Sequence, residues 1–290
     1  MIPAFINPLA GNAGEARAAL DAVGGFEIRE VHPQSLDEHV RAAIREGARR
    51  LLVAGGDGSI GSAANAIAGT NAELAILPCG TLNHLAKDLS LPLALEDAAR
   101  VALNGHATAV DVAVVNDRLF LNTSSVGAYV SFVRARERLE RRLGYHIASL
   151  VAGARLLYRM PTFRVTLRVA GEQLDRNYVT PLVFIGVGER ELRLPTLGAR
   201  VPNGKSGLHV MVVRRRSGAR ALAAGLAAAA RGVDAVSRTP AMDAFLVESC
   251  RIESRTTRLS LDGELVTLVP PFDYRHIPAH LRVVVAPPIG

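Results

Sequence analysis

The sequence predicts an α/β domain followed by an all-β domain, and three observations carry that expectation. Strand–turn–helix units recur in the first third of the chain, each apolar strand ending in small or polar residues. From Phe163 onward the pattern changes to short alternating strands separated by turns. With 290 residues, 49% of them hydrophobic, the chain is long enough to bury two cores.

The first strand, Ile2-Pro3-Ala4-Phe5-Ile6, runs into Asn7-Pro8-Leu9-Ala10-Gly11-Asn12-Ala13-Gly14, and helical residues follow from Glu15. A second strand is expected over 26–31 and a helix over 36–47, with Val40, Ala43, Ile44 and Ala48 on one face. The strand Arg50-Leu51-Leu52-Val53-Ala54 then enters Gly55-Gly56-Asp57-Gly58, and a helix of small residues begins near Ser59. Leu74-Ala75-Ile76-Leu77 enters Pro78-Cys79-Gly80-Thr81-Leu82-Asn83, with a helix carried by Leu85, Ala86 and Leu89. Glycines let backbone approach a ligand closely, and a helix N-terminus presents free N–H groups to an anion. Any one of these loops reads as an ordinary strand-to-helix connection. Three together describe a parallel sheet with its ligand along the C-terminal edge, a Rossmann-like three-layer nucleotide domain. The binding candidates are Asn7, Pro8, Gly11, Gly55, Gly56, Asp57, Gly58, Ser59, Ser62, Gly80, Thr81 and Asn83. An aspartate inside such a turn would repel a bare phosphate, so Asp57 suggests a divalent cation or a proton to be moved. As a residue type it also suits a helix N-cap.

A helix over 97–103 ends at Asn104-Gly105, and Val110 to Leu121 reads as a hairpin turning at Asn116-Asp117. Strands are expected over 163–169, 178–187, 208–213, 246–253 and 258–261, which suits an antiparallel β-sandwich. The switch near residue 120 sets the boundary between a nucleotide domain, 1–120, and a sandwich domain, 121–273. Two helical stretches interrupt the second part. Residues 128–142 suit a solvated helix with pairs such as Glu137–Arg141. Arg214-Arg215-Arg216, beside Ala219, Leu222 and Leu226, suits either an interfacial membrane contact or a surface cap.

A net charge of +7 and a pI near 10.1 favour polyanionic partners. Aromatic residues are only 4% and tryptophan is absent, so stacking platforms for nucleic acid are poorly supplied and an anionic membrane surface is the stronger partner. The longest apolar run, 219–230, contains Arg220 and Gly225 and is too short to span a bilayer. The first residues lack the features of a signal peptide, so a cytoplasmic, peripherally membrane-associated protein is expected. Cys79 and Cys250 have no metal-type spacing, and a thiol reagent at Cys79 could block the second turn.

Asn7-Pro8 with Gly11, Gly55-Gly56-Asp57-Gly58-Ser59, Pro78 with Gly80-Thr81-Leu82-Asn83, and Leu261-Asp262-Gly263-Glu264 occur in an order that resembles the diacylglycerol kinase catalytic-domain family, which includes bacterial lipid kinases, sphingosine kinases and ceramide kinases. Phe120-Leu121-Asn122 with Gly127, and the ending through Ile277-Pro278 to Pro287, extend the resemblance over nearly the whole chain. It implies a NAD kinase/diacylglycerol kinase-like pair of domains, with the tail 274–290 packing back on the first. It also implies ATP and Mg2+ as cofactors and a lipid alcohol as acceptor, diacylglycerol or a sphingoid base. Asp57, Asp262 and Glu264 are the implied catalytic residues, with Asp57 and Asp111 in a water-mediated metal network and the chemistry in an interdomain cleft. Read without the resemblance, Asp262-Gly263-Glu264 is a hairpin turn with two solvated acids. The chain departs from the family at His84, where an aspartate is usual, and over 203–210, where no carboxylate offers itself to a structural metal. A NAD kinase-like small-molecule kinase and a non-catalytic nucleotide- and membrane-binding regulator are the alternatives, and a homodimer is a compatible assembly.

Overall fold

The computed structural model describes residues 1–81, 83–127, 144, 162–169, 175–191, 199–201, 204–213 and 242–287. They fall into two compact units, one of Met1–Val112 with Ile277–Gly290 and one of Ala113–His276. The helices expected over 128–142 and after 214, together with Arg214, Arg215 and Arg216, lie outside the described residues.

In the first unit the order is β1 (Ile2–Ile6), α1 (Ala13–Val23), β2 (Phe26–Glu30), α2 (Leu36–Arg45), β3 (Arg50–Gly55), α3 (Asp57–Ile67), β4 (Glu73–Pro78), α4 (His84–Asp88), α5 (Leu95–Asn104) and the start of β5 (His106–Val115). Strands β2, β1, β3 and β4 lie side by side and parallel. Arg282 and Val283, in the second half of the strand Phe272–Val285, extend the row beside β4. Ala4 pairs with Leu52, Ile6 with Ala54, and Gly55 with Pro78. This register brings the C-terminal ends of β1, β3 and β4 level, so their three turns emerge together. Both faces of the sheet are covered. Leu52, Ala54, Ala75 and Leu77 pack with Ala16 and Leu20 of α1 and Ala98, Ala99 and Ala102 of α5. The alternate residues Leu51, Val53 and Leu74 are also fully buried, and α2 packs against α3.

Arg50 fastens the opposite end of this sheet. Its guanidinium donates to Glu73 at 2.9 Å, to the carbonyls of Ala102 and Leu103 at 3.0 and 3.1 Å, and to that of Gly105 at 3.0 Å. The last carbonyls of α5 are thereby satisfied by a cation at the negative end of the helix dipole. Arg50→Met is expected to lower the unfolding free energy by about 2–4 kcal/mol, read from urea denaturation, because several buried carbonyls lose their donor at once.

The second unit is built from two antiparallel sheets. One runs β9 (Asp175–Thr180), β8 (Phe163–Val169), β13 (Ser249–Ser254) and the first half of β16 (Phe272–Val285). The other runs β12 (Met242–Val247), β11 (Leu208–Val213), β10 (Leu182–Val187), β7 (Thr123–Gly127), β14 (Arg258–Leu261) and β15 (Glu264–Thr267). β6 (Arg118–Phe120) closes the hairpin with β5 around Asn116, which has φ +51°. Val126, Val183, Ile185, Val210, Leu167, Ile252, Phe272 and Tyr274 form one core. Phe120 meets Tyr274 edge-on with ring centroids 6.1 Å apart, and the Tyr274 hydroxyl lies 2.9 Å from Ser124 Oγ.

Two strands expected as continuous are each broken and shared between sheets. Over 178–187, Pro181 supplies no N–H, and Thr180 Oγ1 bonds both the N–H and the carbonyl of Leu182, so β9 ends and β10 begins in the other sheet. Over 246–253 the break falls at Glu248, between β12 and β13. Alternation of apolar residues persists through both corners, so periodicity alone reads across them. No helix among the described residues is long and apolar enough to cross a membrane.

Candidate functional site

The three turns at the C-terminal ends of β1, β3 and β4 are bonded to one another. Asn7 Nδ2 donates to Ser59 Oγ at 3.0 Å, while Asn7 Oδ1 accepts the N–H of Leu9 at 2.9 Å. One side chain thus shapes its own loop and ties it to the first turn of α3. Ser59 is buried at 7% exposure and fills the space a side chain at Gly55 would need, since a Cβ there would lie 2.6 Å from Ser59 Cβ. Gly56 and Gly80 touch backbone to backbone: a Cβ on Gly80 would stand 2.6 Å from Gly56 Cα. Asn83 closes its own turn, accepting the Gly80 N–H at 2.9 Å and donating to the Gly80 carbonyl at 2.7 Å. It does so from a left-handed conformation with φ +50°, which asparagine tolerates better than most residues.

Asp57 opens α3, but its carboxylate does not cap that helix. Oδ1 accepts the N–H of His84 at 2.8 Å, the first residue of α4, so the aspartate staples the glycine turn to the second turn. Burial raises the Asp57 carboxyl above the usual carboxylate range. The charge of His84, the N–H groups of His84 and Leu85, and the charge of Lys87 oppose that rise. His84 therefore contributes through its backbone, a contact any residue except proline could supply, and its identity is not needed for the staple. Ser62 is half-buried on α3; Pro8, Gly11, Gly58 and Thr81 are exposed, and no Cβ contact would crowd Gly11. The N-cap of α3 is Gly56, which has no side chain to cap the N–H groups that open the helix. The edge is a cradle of exposed backbone with hydroxyl and amide groups at its rim, chemistry that suits phosphate oxygens.

Cys79 lies behind this cradle. Burial, and then the charge of Glu15, push its thiol from 9.0 up to about 11, and burial with the charge of Asp273 pushes Cys250 up to about 12. Both cysteines are buried. Neither thiol is therefore expected to react with Ellman's reagent at pH 8 until the chain unfolds; labelling of the native protein at an ordinary cysteine rate would refute this. Between pH 9.0 and about 11 the unfolded chain releases a Cys79 proton that the folded chain keeps. This contribution to stability is complete below pH 9.0 and is lost as pH rises.

In the second unit, Asp262 and Gly263 join β14 to β15 with φ +48° and +90°, the positive pair a type I′ turn requires. Asp262 accepts three backbone N–H groups, from Leu121 at 2.8 Å on Oδ2 and from Asn122 and Thr123 at 2.8 and 2.9 Å on Oδ1. Glu264 is exposed at the head of β15, paired with Leu261. Ser125 and Ser260 stand directly opposite on β7 and β14, buried at 2% exposure each, with no hydrogen-bond partner for either hydroxyl among the described residues. No local pattern marks Ser125 and Ser260 as a pair, because their adjacency depends on the strand register.

Asp111, in β5 of the first unit, accepts the N–H of Ala279 at 2.9 Å, where the chain takes φ +51°. Among the described residues no group of three or more His, Cys, Asp or Glu side chains could hold a metal ion. A magnesium ion held mostly by nucleotide phosphate oxygens and water fits such a donor set; a protein cage does not.

Residues 2–115 match the diacylglycerol kinase catalytic domain. A diacylglycerol kinase of Mycobacterium tuberculosis is 30% identical over 183 residues, 57% of this chain and 59% of that protein. A YegS-like protein of Cronobacter sakazakii, named as a probable lipid kinase, is 31% identical over 156 residues, 52% of this chain and 50% of its own length. The chain thus spans about half of the curated relatives it matches at these identities. A Staphylococcus aureus diacylglycerol kinase aligns more fully, over 96% of this chain and 90% of its own, at 24% identity. In fold, a crystal structure of a diacylglycerol kinase from Bacillus anthracis strain Sterne is similar with a TM-score of 0.72 at 20% identity, covering 99% of this chain and 97% of that one. The diacylglycerol kinase-like plan, an α/β nucleotide-type domain with an antiparallel β domain, is the architecture found here.

Proposed function

We propose that this protein is an ATP- and Mg2+-dependent lipid kinase that transfers the γ-phosphoryl group to the hydroxyl of a lipid alcohol, with diacylglycerol the first candidate and a sphingoid base the second. The observation that supports it most is the cluster of three turns, closed by the Gly56–Gly80 contact and the Asp57–His84 staple, inside the segment that matches the diacylglycerol kinase catalytic domain.

The roles follow from what each group has available. Gly11, Gly56, Gly58, Gly80 and Thr81 offer exposed or half-buried backbone to the nucleotide phosphates, with Asn7, Ser59, Ser62 and Asn83 holding the loops around them and Pro8 at the rim. Bound Mg2+ would supply charge neutralisation on the phosphates. Asp57 and Asp111 would meet it through water, since each carboxylate already accepts a backbone N–H. Of the two acids near the β14–β15 turn, Asp262 accepts three backbone N–H groups of its own chain and is fixed in direction. Glu264 is exposed and suits the part of proton acceptor, with Asp262 the fixed anion that orients the hydroxyl. Ser125 and Ser260 would bond the polar groups of the acceptor two residues along the strands from Thr123 and Asp262. A transient anionic membrane surface would present the lipid.

Purified protein incubated with labelled ATP, Mg2+ and a panel of lipid alcohols, NAD and fructose 6-phosphate tests the reading. Label is expected in a lipid phosphate. Label in NADP, or nucleotide binding without any product, would reject it.

A further inference from the structure

Asp262 does not shape the 121–123 corner alone. The N–H of Thr123, which donates to Asp262 Oδ1 at 2.9 Å, shares its peptide unit with the carbonyl of Asn122. At the oxygen end of that same peptide, Arg190 Nη2 donates to the Asn122 carbonyl at 2.9 Å, and the Val187 N–H donates to it at 2.9 Å. Arg190 Nη1 also donates to Asn122 Oδ1. A cation at the oxygen end and an anion at the hydrogen end polarise an amide in the same direction, so each bond strengthens the other. Arg190 is 2% exposed and Asn122 6%, so solvent screens this chain of charges weakly.

Arg190 is itself held in place. Its Nε and Nη2 donate to the Val187 carbonyl at 3.1 and 2.7 Å, and its backbone N–H donates to His209 Nδ1 at 2.9 Å. That last bond fixes His209 with Nδ1 as acceptor, and burial lowers its tendency to charge. The Arg190 stem lies over Gly186, where a Cβ would stand 2.4 Å from Arg190 Cγ. Glycine at 186 is what lets the guanidinium reach Asn122.

We propose that Arg190 is a positioning residue for the phosphotransfer, acting on Asp262 through the Asn122–Thr123 peptide. The inference rests on the reading of Asp262 as part of the catalytic apparatus. Three variants test it. Arg190→Met keeps the stem and removes the charge. Arg190→Lys keeps the charge but cannot bridge both oxygens of Asn122 as a planar guanidinium does. Gly186→Ala displaces the side chain without removing it. Hydrogen exchange at Leu121, Asn122 and Thr123 is followed beside kcat and the KM for ATP, with dioleoylglycerol in mixed micelles as acceptor.

Arg190→Met and Gly186→Ala are each expected to lose about tenfold or more of the protection at 121–123 and about tenfold in kcat, with the KM for ATP within about twofold of wild type. Arg190→Lys is expected to recover part of both losses. Wild-type protection and kcat in a folded Arg190→Met protein would overturn the inference, as would lost protection with kcat unchanged. A wild-type protein that phosphorylates no lipid alcohol would instead sink the lipid kinase reading, and hydrogen exchange would still decide whether Arg190 positions the Asp262 corner.

Discussion

Gly80→Ala is expected to weaken binding of an ATP analogue by at least about tenfold, or about 1.4 kcal/mol. The added methyl would lie 2.6 Å from Gly56 Cα and 2.9 Å from Asn83 Oδ1. The asparagine can turn aside, at the cost of the bonds that close its loop, but the Gly56 backbone cannot move without opening the glycine turn. Overpacking of this kind typically costs about 1–3 kcal/mol, and here it falls where the nucleotide would sit. Gly56→Ala is the internal control. Its Cβ would be 3.3 Å from Gly80 Cα, a contact that a small shift relieves, so a milder loss is expected. Isothermal titration of both variants decides it; equal and near-native affinities would show that the two turns do not form one binding surface.

Asp262→Asn is expected to lower kcat by about 10²-fold or more while leaving nucleotide affinity near wild type, because the nucleotide-type turns belong to the other unit. The substitution has a second, separable effect. The carboxylate offers an oxygen to Leu121 and the other to Asn122 and Thr123, and an amide must present its NH2 group to one of these donors. A donor facing a donor leaves a buried N–H unpaired, worth about 1–3 kcal/mol of stability. Glu264→Gln carries no such penalty, since Glu264 is exposed, and is expected to lower kcat by a comparable factor with an unchanged melting temperature. A folded Asp262→Asn protein with wild-type kcat would remove Asp262 from the chemistry, and wild-type kcat in Glu264→Gln would do the same for that residue.

Much of this was legible in the chain. The three turns stand out because glycine, asparagine and an apolar run each leave a local mark, and local marks survive in sequence. The contacts that make them one site are not local. Asn7 reaches Ser59 across 52 positions, and Asp57 reaches the His84 N–H across 27. The resemblance makes Asp57 a metal-network residue and its residue type suits a helix cap; that its oxygen also ties two loops together is a contact no spacing rule names. His84 stands where the family usually has an aspartate; the bond it gives Asp57 comes from its backbone N–H, and its side chain acts on that carboxylate only through its charge. In the β unit, alternation located most strands but ran through the corners at Pro181 and Glu248. Arg190 gave no signal at all, because one arginine among many is invisible until the Gly186 gap and the Asn122 carbonyl are seen beneath it.

The raised thiol at Cys79 also bears on how the protein would fare under oxidative stress. Peroxide and glutathione disulfide are attacked by thiolate, and a thiol held near 11 supplies almost none at cellular pH. A cysteine one residue before the Gly80 contact would otherwise expose the cradle to inactivation by sulfenic acid or mixed disulfide. Shielded as it is, Cys79 is expected to leave the turn intact through an oxidant burst that silences enzymes with open, low-pKa cysteines.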